Sequence, residues 1–269
     1  MTSSPDTPPR QIIVAASCSA DATRAIPLAA GLARWAGADL HGILVEQEQA
    51  VTITGMATAR LITRTGAQVT APTVSHMRRL LTSDARVFET ELAKLARANL
   101  RNWTFERLKG DLVARMRAAT AQSDILFVGY QGFNRHLSAV ILIHSPGQSQ
   151  RGAFNVATEL ARDQNARLFI FAAATDEEQR HLASVELQAM SRQTDLAETT
   201  THVFASTAEI LNRINRSSAV AVIINIQTGP FQSDADISLL LDVARCPLVI
   251  VGSVGERMSP DHQKAAPDT

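Results

Sequence analysis

The sequence is poor in aromatic residues and has no excess of charge of either sign. Phe, Trp and Tyr make up 4% of its 269 residues, and 26 basic residues balance 26 acidic ones. Proteins that bind nucleic acid depend on basic surface and often stack bases on aromatic rings. The composition therefore argues against a nucleic-acid partner.

Long apolar runs are also missing. The longest, such as residues 219–224, are far shorter than the roughly 20 residues that a helix needs to span a bilayer. Residues 1–10 contain no apolar stretch of the kind found in signal peptides. We therefore expect a cytoplasmic protein that does not bind a membrane.

Cysteine is scarce, with only Cys18 and Cys246 in the chain. Neither lies in a metal-ligand spacing, and two distant cysteines do not form a disulfide framework. We expect two free buried thiols in a reducing compartment. The alternative is a redox sensor at Cys18, because a helix N-terminus lowers the pKa of a thiol and Cys18 lies in the turn between the first predicted strand and the first predicted helix.

Recognisable catalytic and metal-binding patterns are absent from the sequence. The seven histidines form neither an H-x-x-x-H nor an H-E-x-x-H pattern, and no G-x-S-x-G sequence occurs. We therefore assign no catalytic residue and no metal ligand.

What the sequence does contain is an internal repeat. Residues 12–45 align with residues 140–173 without a gap at nine identical positions, among them Ser17 with Ser145. Each copy reads as a buried strand, an alanine-rich amphipathic helix and a second strand. This pattern predicts a duplicated βαβ unit with parallel strands and a right-handed crossover.

Hydrophobic periodicity and capping residues extend both copies. The first copy is predicted to have strands at 11–16, 39–46, 103–108 and 124–128, and helices at 20–36, 74–100 and 111–121, with a short helix at 57–63. The second is predicted to have strands at 140–143, 167–173, 199–204, 219–224 and 247–251, and helices at 149–163, 177–193, 207–216 and 233–244. Asp111 and either Ser206 or Thr207 are predicted helix N-caps.

The two copies differ at two places. The alignment offset falls from 128 to 95 along the repeat, so the second copy lacks most of the counterpart of residues 47–73. The first copy lacks the last helix and strand, because too few residues separate 128 from 140. The final strand at 247–251 either covers the edge that this leaves, or leaves it open to recruit another chain. We expect a homodimer.

These patterns predict four segments. Residues 1–10 are expected to be disordered, residues 11–138 and 139–254 to form two units, and residues 255–269 to form a flexible tail.

Several stretches, in this order and spacing, resemble the universal stress protein family in its tandem two-repeat form. They are residues 28–34 with 38–45, residues 109–111 with 123–129, and residues 246–251. The resemblance implies two tandem α/β/α units with mostly parallel sheets, similar to adenine nucleotide α-hydrolase-like and other Rossmann-like folds. It also implies a role in stress response, and some members of the family bind ATP.

The resemblance also identifies candidate cofactor-binding residues. Members that bind ATP carry Asp after the first strand, and G-x-x-G followed by Gly and Ser or Thr after the fourth. Here Ser17 and Ser145 replace the Asp, and Gly129 and Gly132 keep only the first half of the loop. The second copy has no G-x-x-G at residues 225–230. We therefore expect a degenerate nucleotide site and no cofactor.

A purely structural interpretation of these four residues is also available. Gly129 and Gly132 would be strand-exit turn residues with positive φ, and the two serines would be turn residues at helix N-termini.

The sequence favours a non-enzymatic stress-response or regulatory scaffold. The alternative is a sensor that binds ATP, AMP or another small ligand in the crevice near Ser17 and Gly129–Gly132, with weak ATPase activity. A third interpretation is a regulatory subunit that docks a protein partner through residues 47–73.

Overall fold

The structure is a computed structural model, which describes residues 11–46, 61–62, 68–69, 74–120, 125–130, 138–148, 150–196 and 198–252. The strands are β1 (Gln11–Ala16), β2 (Asp39–Glu46), β3 (Leu61–Ile62), β4 (Gln68–Val69), β5 (Trp103–Lys109), β6 (Ile125–Val128), β7 (Ala139–His144), β8 (Arg167–Ala173), β9 (Thr199–Phe204), β10 (Ala219–Asn225) and β11 (Leu248–Val251). The helices are α1 (Ser19–Ala36), α2 (Val74–Ala98), α3 (Leu112–Thr120), α4 (Arg151–Asp163), α5 (Glu177–Gln193), α6 (Thr207–Asn215) and α7 (Asp234–Ala244).

Both repeats contribute to one sheet of nine strands. Its order is β5-β2-β1-β6-β11-β10-β7-β8-β9. Every neighbouring pair is parallel except β6 with β11. The predicted fold class, α/β with mostly parallel strands, is confirmed.

The antiparallel pair β6–β11 joins the two halves of the sheet. Leu248 lies opposite Val128, and Val251 lies opposite Ile125. All eight residues of the two strands are fully buried. The final strand therefore covers the edge of the first copy within the chain. This edge is not open to recruit a second chain, so the homodimer remains a prediction that needs another surface.

Helices cover both faces of the sheet. One core lies beneath α1, α2, α4 and α5, and the other beneath α3, α6 and α7. The buried face of α1 is rich in alanine, with Ala22, Ala25, Ala29 and Ala33 fully buried. Small side chains let this helix approach the sheet closely, which brings its N-terminus next to the ends of β1 and β6.

The predicted helices and strands agree with the structure to within a few residues at their ends. Asp111 is confirmed as the cap of α3, because the Ala114 N–H donates to its Oδ1 over 3.0 Å. Ser206 is the N-cap of α6, where it accepts from the Glu209 N–H.

One predicted helix is wrong. Residues 61 and 62 of the helix predicted at 57–63 form β3, which pairs antiparallel with β4. Two short strands that pair with each other need no local helical periodicity. The remainder of that prediction lies outside the described residues, as do most of 47–73, Gly132, and the predicted disordered segments 1–10 and 255–269.

Within the described ranges, no helix combines the length and the hydropathy that a membrane span requires.

Candidate functional site

Each half of the sheet has a point where the chain reverses its direction of winding. In the first half the point lies between β1 and β6, and in the second between β7 and β10. Ligands of open α/β sheets bind outside the carboxyl ends of the strands at such points. The structure brings Ser17 and Gly129 together at the first point, where the Gly129 N–H donates to the Ala15 carbonyl over 2.8 Å. Ser145 lies at the second, directly after β7.

A groove of about 370 Å³ opens beside Ser17, between the start of α1 and the helix α2. Its lining residues are Ser17, Cys18, Leu80, Leu81, Ser83, Asp84 and Val87. The Ser17 hydroxyl is already engaged, because it donates to Asp21 Oδ2 over 2.6 Å. The groove therefore presents mainly apolar side chains, together with the carboxylate of Asp84.

Asp84 satisfies the N-terminus of α1 from the neighbouring helix. The Ser19 N–H donates to Asp84 Oδ2 over 2.8 Å, and the Ser19 hydroxyl donates to Oδ1. The N-cap residue Cys18 makes no side-chain cap bond of its own. Helix N-termini bind phosphate through backbone N–H groups that have no partner within the helix. Here a phosphate would have to displace Asp84 and would also lie near Asp21.

Gly129 is required for space and not for a positive φ. A Cβ at this position would lie 2.6 Å from the Asp21 carbonyl oxygen and 2.8 Å from its carbon. Among the described glycines, positive φ occurs at Gly37, Gly110 and Gly147. The interpretation of Gly129 as a positive-φ turn residue is therefore wrong, since its role is to let β6 end against the first turn of α1.

The second copy repeats the carboxylate arrangement with different residues. The Gly147 N–H lies 3.1 Å from both carboxylate oxygens of Glu186 on α5. Gly147 is the counterpart of Ser19 at the repeat offset of 128. His144 Nε2 also lies 2.8 Å from Glu186 Oε2. In each copy, a carboxylate from the second helix thus accepts a hydrogen bond from the backbone N–H two residues after the shared serine.

The two carboxylates lie at matching positions of the repeat. Leu80 and Asp84 on α2 match Leu182 and Glu186 on α5 at a constant offset of 102. Both leucines are exposed, at 43% and 42%. In both copies an exposed leucine is followed four positions later by an acidic residue. This pattern could have indicated the two carboxylates, but it lies outside the gap-free alignment of the first βαβ units.

Protein side chains fill the second point of reversal. Asn225 ends β10, and its Oδ1 accepts from the N–H groups of Gln227 and Thr228 over 2.9 and 3.3 Å. Gln150 Nε2 donates to Thr228 Oγ1 over 2.9 Å. Two buried atoms here, His144 Nδ1 and Gln150 Oε1, have no hydrogen-bond partner among the residues that the structure describes. A water molecule or a small polar group could satisfy them.

The two cysteines are poor nucleophiles in this setting. Burial raises the pKa of Cys18 to about 11, and the neighbouring carboxylates of Asp21 and Asp84 also raise it. Burial raises the pKa of Cys246 to about 12. The expected lowering of the Cys18 pKa by the helix N-terminus is therefore wrong, because desolvation outweighs it. In the described part of the chain, no three His, Cys, Asp or Glu residues form a metal-binding cluster.

Comparisons with known proteins show a likeness of fold. No protein-family model and no curated protein matches the chain. A universal stress protein from Archaeoglobus fulgidus DSM 4304 matches with a TM-score of 0.51 at 11% identity, over 90% of this chain and 96% of that one. The cytoplasmic domain of a prokaryotic cation chloride cotransporter matches at 0.48 and 11%, over 93% and 97%. A functionally unknown protein from Pseudomonas aeruginosa PAO1 matches at 0.49 and 11%, over 92% and 94%. The chain thus has a fold similar to that of a universal stress protein.

Proposed function

We propose that this chain is a non-enzymatic, cytoplasmic scaffold of the universal stress type, in which the crevices at the two reversal points do not hold a nucleotide. The observation that carries the proposal is the pair of carboxylates, Asp84 and Glu186, on equivalent N–H groups of the two copies. A role in stress response rests on the likeness of fold.

Charge opposes nucleotide binding in the first crevice. The N–H of Ser19 bonds to a carboxylate, and the hydroxyl of Ser17 bonds to a second one. A triphosphate placed there would lose these hydrogen bonds and meet two like charges at short range. The sequence after Gly132 also lacks the Gly and Ser or Thr that complete the family loop.

Volume opposes nucleotide binding in the second crevice. The Gln150 side chain donates to the Thr228 hydroxyl, and the Asn225 side chain accepts from backbone N–H groups of the turn that follows β10. Gln150 and Asn225 are buried, at 3% and 2% exposure. A ligand of nucleotide size would have to displace this network.

Titration with ATP, ADP and AMP tests the proposal. We expect no heat of binding in calorimetry and no change in melting temperature at millimolar nucleotide. A ligand present at 100 times its Kd would stabilise the fold by about 2.7 kcal/mol, which raises the melting temperature of a chain of this size by several degrees. Such a shift, or nucleotide released from the purified protein on denaturation, would refute the proposal.

A matched pair of variants sharpens this test. Asp84→Asn removes the charge from the α1 N-terminus, whereas Asp242→Asn removes a charge from α7, on the other face of the sheet. If Asp84 opposes anions, weak binding of ATP should appear in Asp84→Asn alone.

The second candidate function is a small-ligand sensor. The groove of about 370 Å³ beside Ser17 and Cys18, and the unsatisfied His144 Nδ1, favour it. The titrations with ATP, ADP and AMP separate the scaffold from a nucleotide sensor, which requires saturable stabilisation of the fold. A sensor of another small molecule requires the same response to that molecule.

A third candidate is a protein partner that docks on residues 47–73, for which the absence of this segment from the second copy is the support. Capture of partners by the full chain and by a variant with this segment replaced by a short Gly-Ser linker would test it. Equal capture by both would exclude the segment as the docking site.

A further inference from the structure

The two outer edges of the nine-stranded sheet differ in charge. The edge strand β5 carries Glu106, Arg107 and Lys109, whereas β9 has the sequence TTTHVF and carries no acidic residue, Lys or Arg. Charged side chains on an edge strand prevent it from pairing with another chain. The β5 edge is protected in this way, and the β9 edge is not.

The backbone of β9 offers a regular row of hydrogen-bonding groups on its outer side. The Glu198 carbonyl accepts from the Leu168 N–H in β8, and the Phe204 carbonyl accepts from the Ala174 N–H directly after β8. Because backbone groups alternate in direction along a strand, the even-numbered residues face β8. Thr199, Thr201 and Val203 therefore direct their N–H and C=O groups away from the sheet. No strand in the described part of the chain pairs with them.

Aromatic side chains flank this edge on one face of the sheet. His202 lies 5.9 Å from Phe204 and 5.8 Å from Phe171 between ring centres, and Phe169 extends the group. His202 and Phe204 are only half-buried. Burial lowers the pKa of His202, as does the nearby Arg213, so the ring is uncharged at neutral pH. Strand β9 therefore combines an outer backbone without a strand partner, apolar surface and no acidic residue, Lys or Arg of its own.

We propose that β9 pairs with β9 of a second copy of this chain, antiparallel about a two-fold axis at Thr201, to give a continuous sheet of eighteen strands. In this register Thr201 lies opposite its own copy, and Thr199 lies opposite Val203. All three direct their backbone groups outward, so they form the hydrogen-bonded pairs of an antiparallel ladder.

The same register is free of unfavourable charge contacts. Thr200 lies opposite His202, and Glu198 lies opposite Phe204, so no like charges meet across the axis. Two-fold contacts require such self-complementarity, because each residue contacts the same surface that its own copy presents. A second copy satisfies this edge better than a foreign strand, which would have to bring its own match to this uncharged sequence. The inference goes beyond the proposed function and does not depend on nucleotide binding.

Proline substitution at equivalent positions of the two edges tests the inference. Thr201→Pro removes an outward N–H from β9 without removing a bond to β8, and proline is tolerated on edge strands. Arg107→Pro does the same on β5, where the Asn102 carbonyl faces β2. Light scattering after size exclusion should give about 58 kDa for the wild type and for Arg107→Pro, twice the 29.0 kDa of one chain. The dimer of Thr201→Pro should dissociate at protein concentrations at least about tenfold higher than those at which the wild-type dimer dissociates.

A second variant guards against a folding defect in the first. Thr201→Lys leaves the backbone intact and places two positive charges together at the axis, so it should also yield a monomer with unchanged circular dichroism. A wild type that remains at 29.0 kDa at about 100 μM, or a dimer that survives both Thr201 substitutions, would overturn the inference.

Cross-linking tests the register itself. In a background of Cys18→Ser and Cys246→Ser, Thr201→Cys should form a disulfide with its own copy under mild oxidation, because opposed Cα atoms of a hydrogen-bonded pair lie about 5.5 Å apart. Thr200→Cys is the matched control and should not cross-link, since its opposite residue is His202. Cross-linking of Thr200→Cys in preference to Thr201→Cys would contradict the register.

Discussion

At the scale of single residues, the first crevice is shaped by close contact and by burial. Gly129 lies against the backbone of Asp21 and Ala22, and Cys18 lies between carboxylates at the mouth of the groove. Both residues occupy positions that the sequence identified as candidates for binding or chemistry. Their surroundings give them structural roles, and each role predicts a measurable result.

Gly129→Ala should destabilise the fold by about 1–3 kcal/mol, because its Cβ would meet the backbone of α1 at 2.6 Å and backbone cannot move aside as a side chain can. Gly31→Ala on the same helix is the control. Its Cβ would meet the side chain of Asp163 at 3.0 Å, and alanine favours a helix over glycine by up to about 1 kcal/mol. In urea unfolding, only Gly129→Ala should therefore have a lower midpoint than the wild type. Equal midpoints for the two variants would contradict the packing argument.

Cys18 should react slowly with thiol reagents at neutral pH. A pKa of about 11 in place of 9.0 lowers the thiolate fraction about 100-fold. The higher nucleophilicity of a more basic thiolate offsets part of this, so a rate about tenfold below that of a free cysteine is expected. The rate should rise with pH up to about 11. Cys18→Ser assigns the signal, and a rate that levels off below pH 8 would restore the redox-sensor interpretation.

Single residues of the candidate site also show what local sequence patterns could and could not predict. Ser17 and Ser145 were correctly placed after their strands by local alternation. The carboxylates that hold the neighbouring N–H groups could not be placed, because Asp84 lies 65 residues from Ser19 and Glu186 lies 39 from Gly147. Only tertiary packing brings them together.

At the scale of elements, the start of α1 and the turn that leads into α4 each bond to a carboxylate on a neighbouring helix. Most helix caps come from the residue that precedes the helix, as Asp176 does for α5 and Ser206 for α6. At α1 the second helix of the copy supplies the carboxylate. This arrangement ties the first strand–helix turn of each copy to the helix that packs beside it.

Asp84→Ala and Glu186→Ala should therefore both destabilise the fold, but to different extents. Loss of a helix cap costs about 0.5–2 kcal/mol, which is the whole effect expected for Asp84→Ala. Glu186→Ala also leaves Nε2 of the buried His144 without a partner, in addition to Nδ1. An unsatisfied buried group costs a further 1–3 kcal/mol or so.

Urea denaturation at pH 7.5 measures both losses, and Asp242→Asn provides a control for a charge removed elsewhere. Adding His144→Leu to the Glu186→Ala chain should recover part of the larger loss, because leucine leaves no buried polar atom. Equal losses for Asp84→Ala and Glu186→Ala, or no recovery, would show that His144 does not depend on Glu186.

At the scale of the whole molecule, the nine-stranded sheet makes one folding unit of two copies. In the described part of the chain, the halves meet through β6 with β11 and through neighbouring helices, and all residues of these two strands are buried. Each half therefore depends on the other to cover an apolar edge. We expect cooperative unfolding of both halves.

Phe171→Ala tests this cooperativity. Phe171 is fully buried in β8 of the second copy, and its loss should cost about 3–5 kcal/mol. The two tryptophans, Trp35 and Trp103, both lie in the first copy. If the halves unfold together, tryptophan fluorescence should report the full shift in midpoint caused by Phe171→Ala. An unchanged fluorescence midpoint, with a separate early transition by circular dichroism, would show independent halves.

The parallel pairing of β1 with β2, and of β7 with β8, followed from the repeat, because a βαβ unit predicts parallel strands with a right-handed crossover. The antiparallel joint did not, because the pairing of β6 with β11 depends on contacts between residues more than a hundred positions apart. The sequence did show that the first copy lacked a strand. What it could not show was that the last strand of the second copy takes that place from the opposite direction.

The position of β11 also has a consequence for biosynthesis. Strand β6 ends at Val128, whereas β11 begins at Leu248, so the ribosome delivers the cover of the first copy long after the first copy itself. During that interval the nascent chain displays four apolar residues, Ile125–Val128, on a strand that can pair with β1 but has no partner on its other side. Domains that fold as they emerge escape such exposure. For this chain we therefore expect a need for chaperone protection, or delayed folding of its first half, until translation reaches β11.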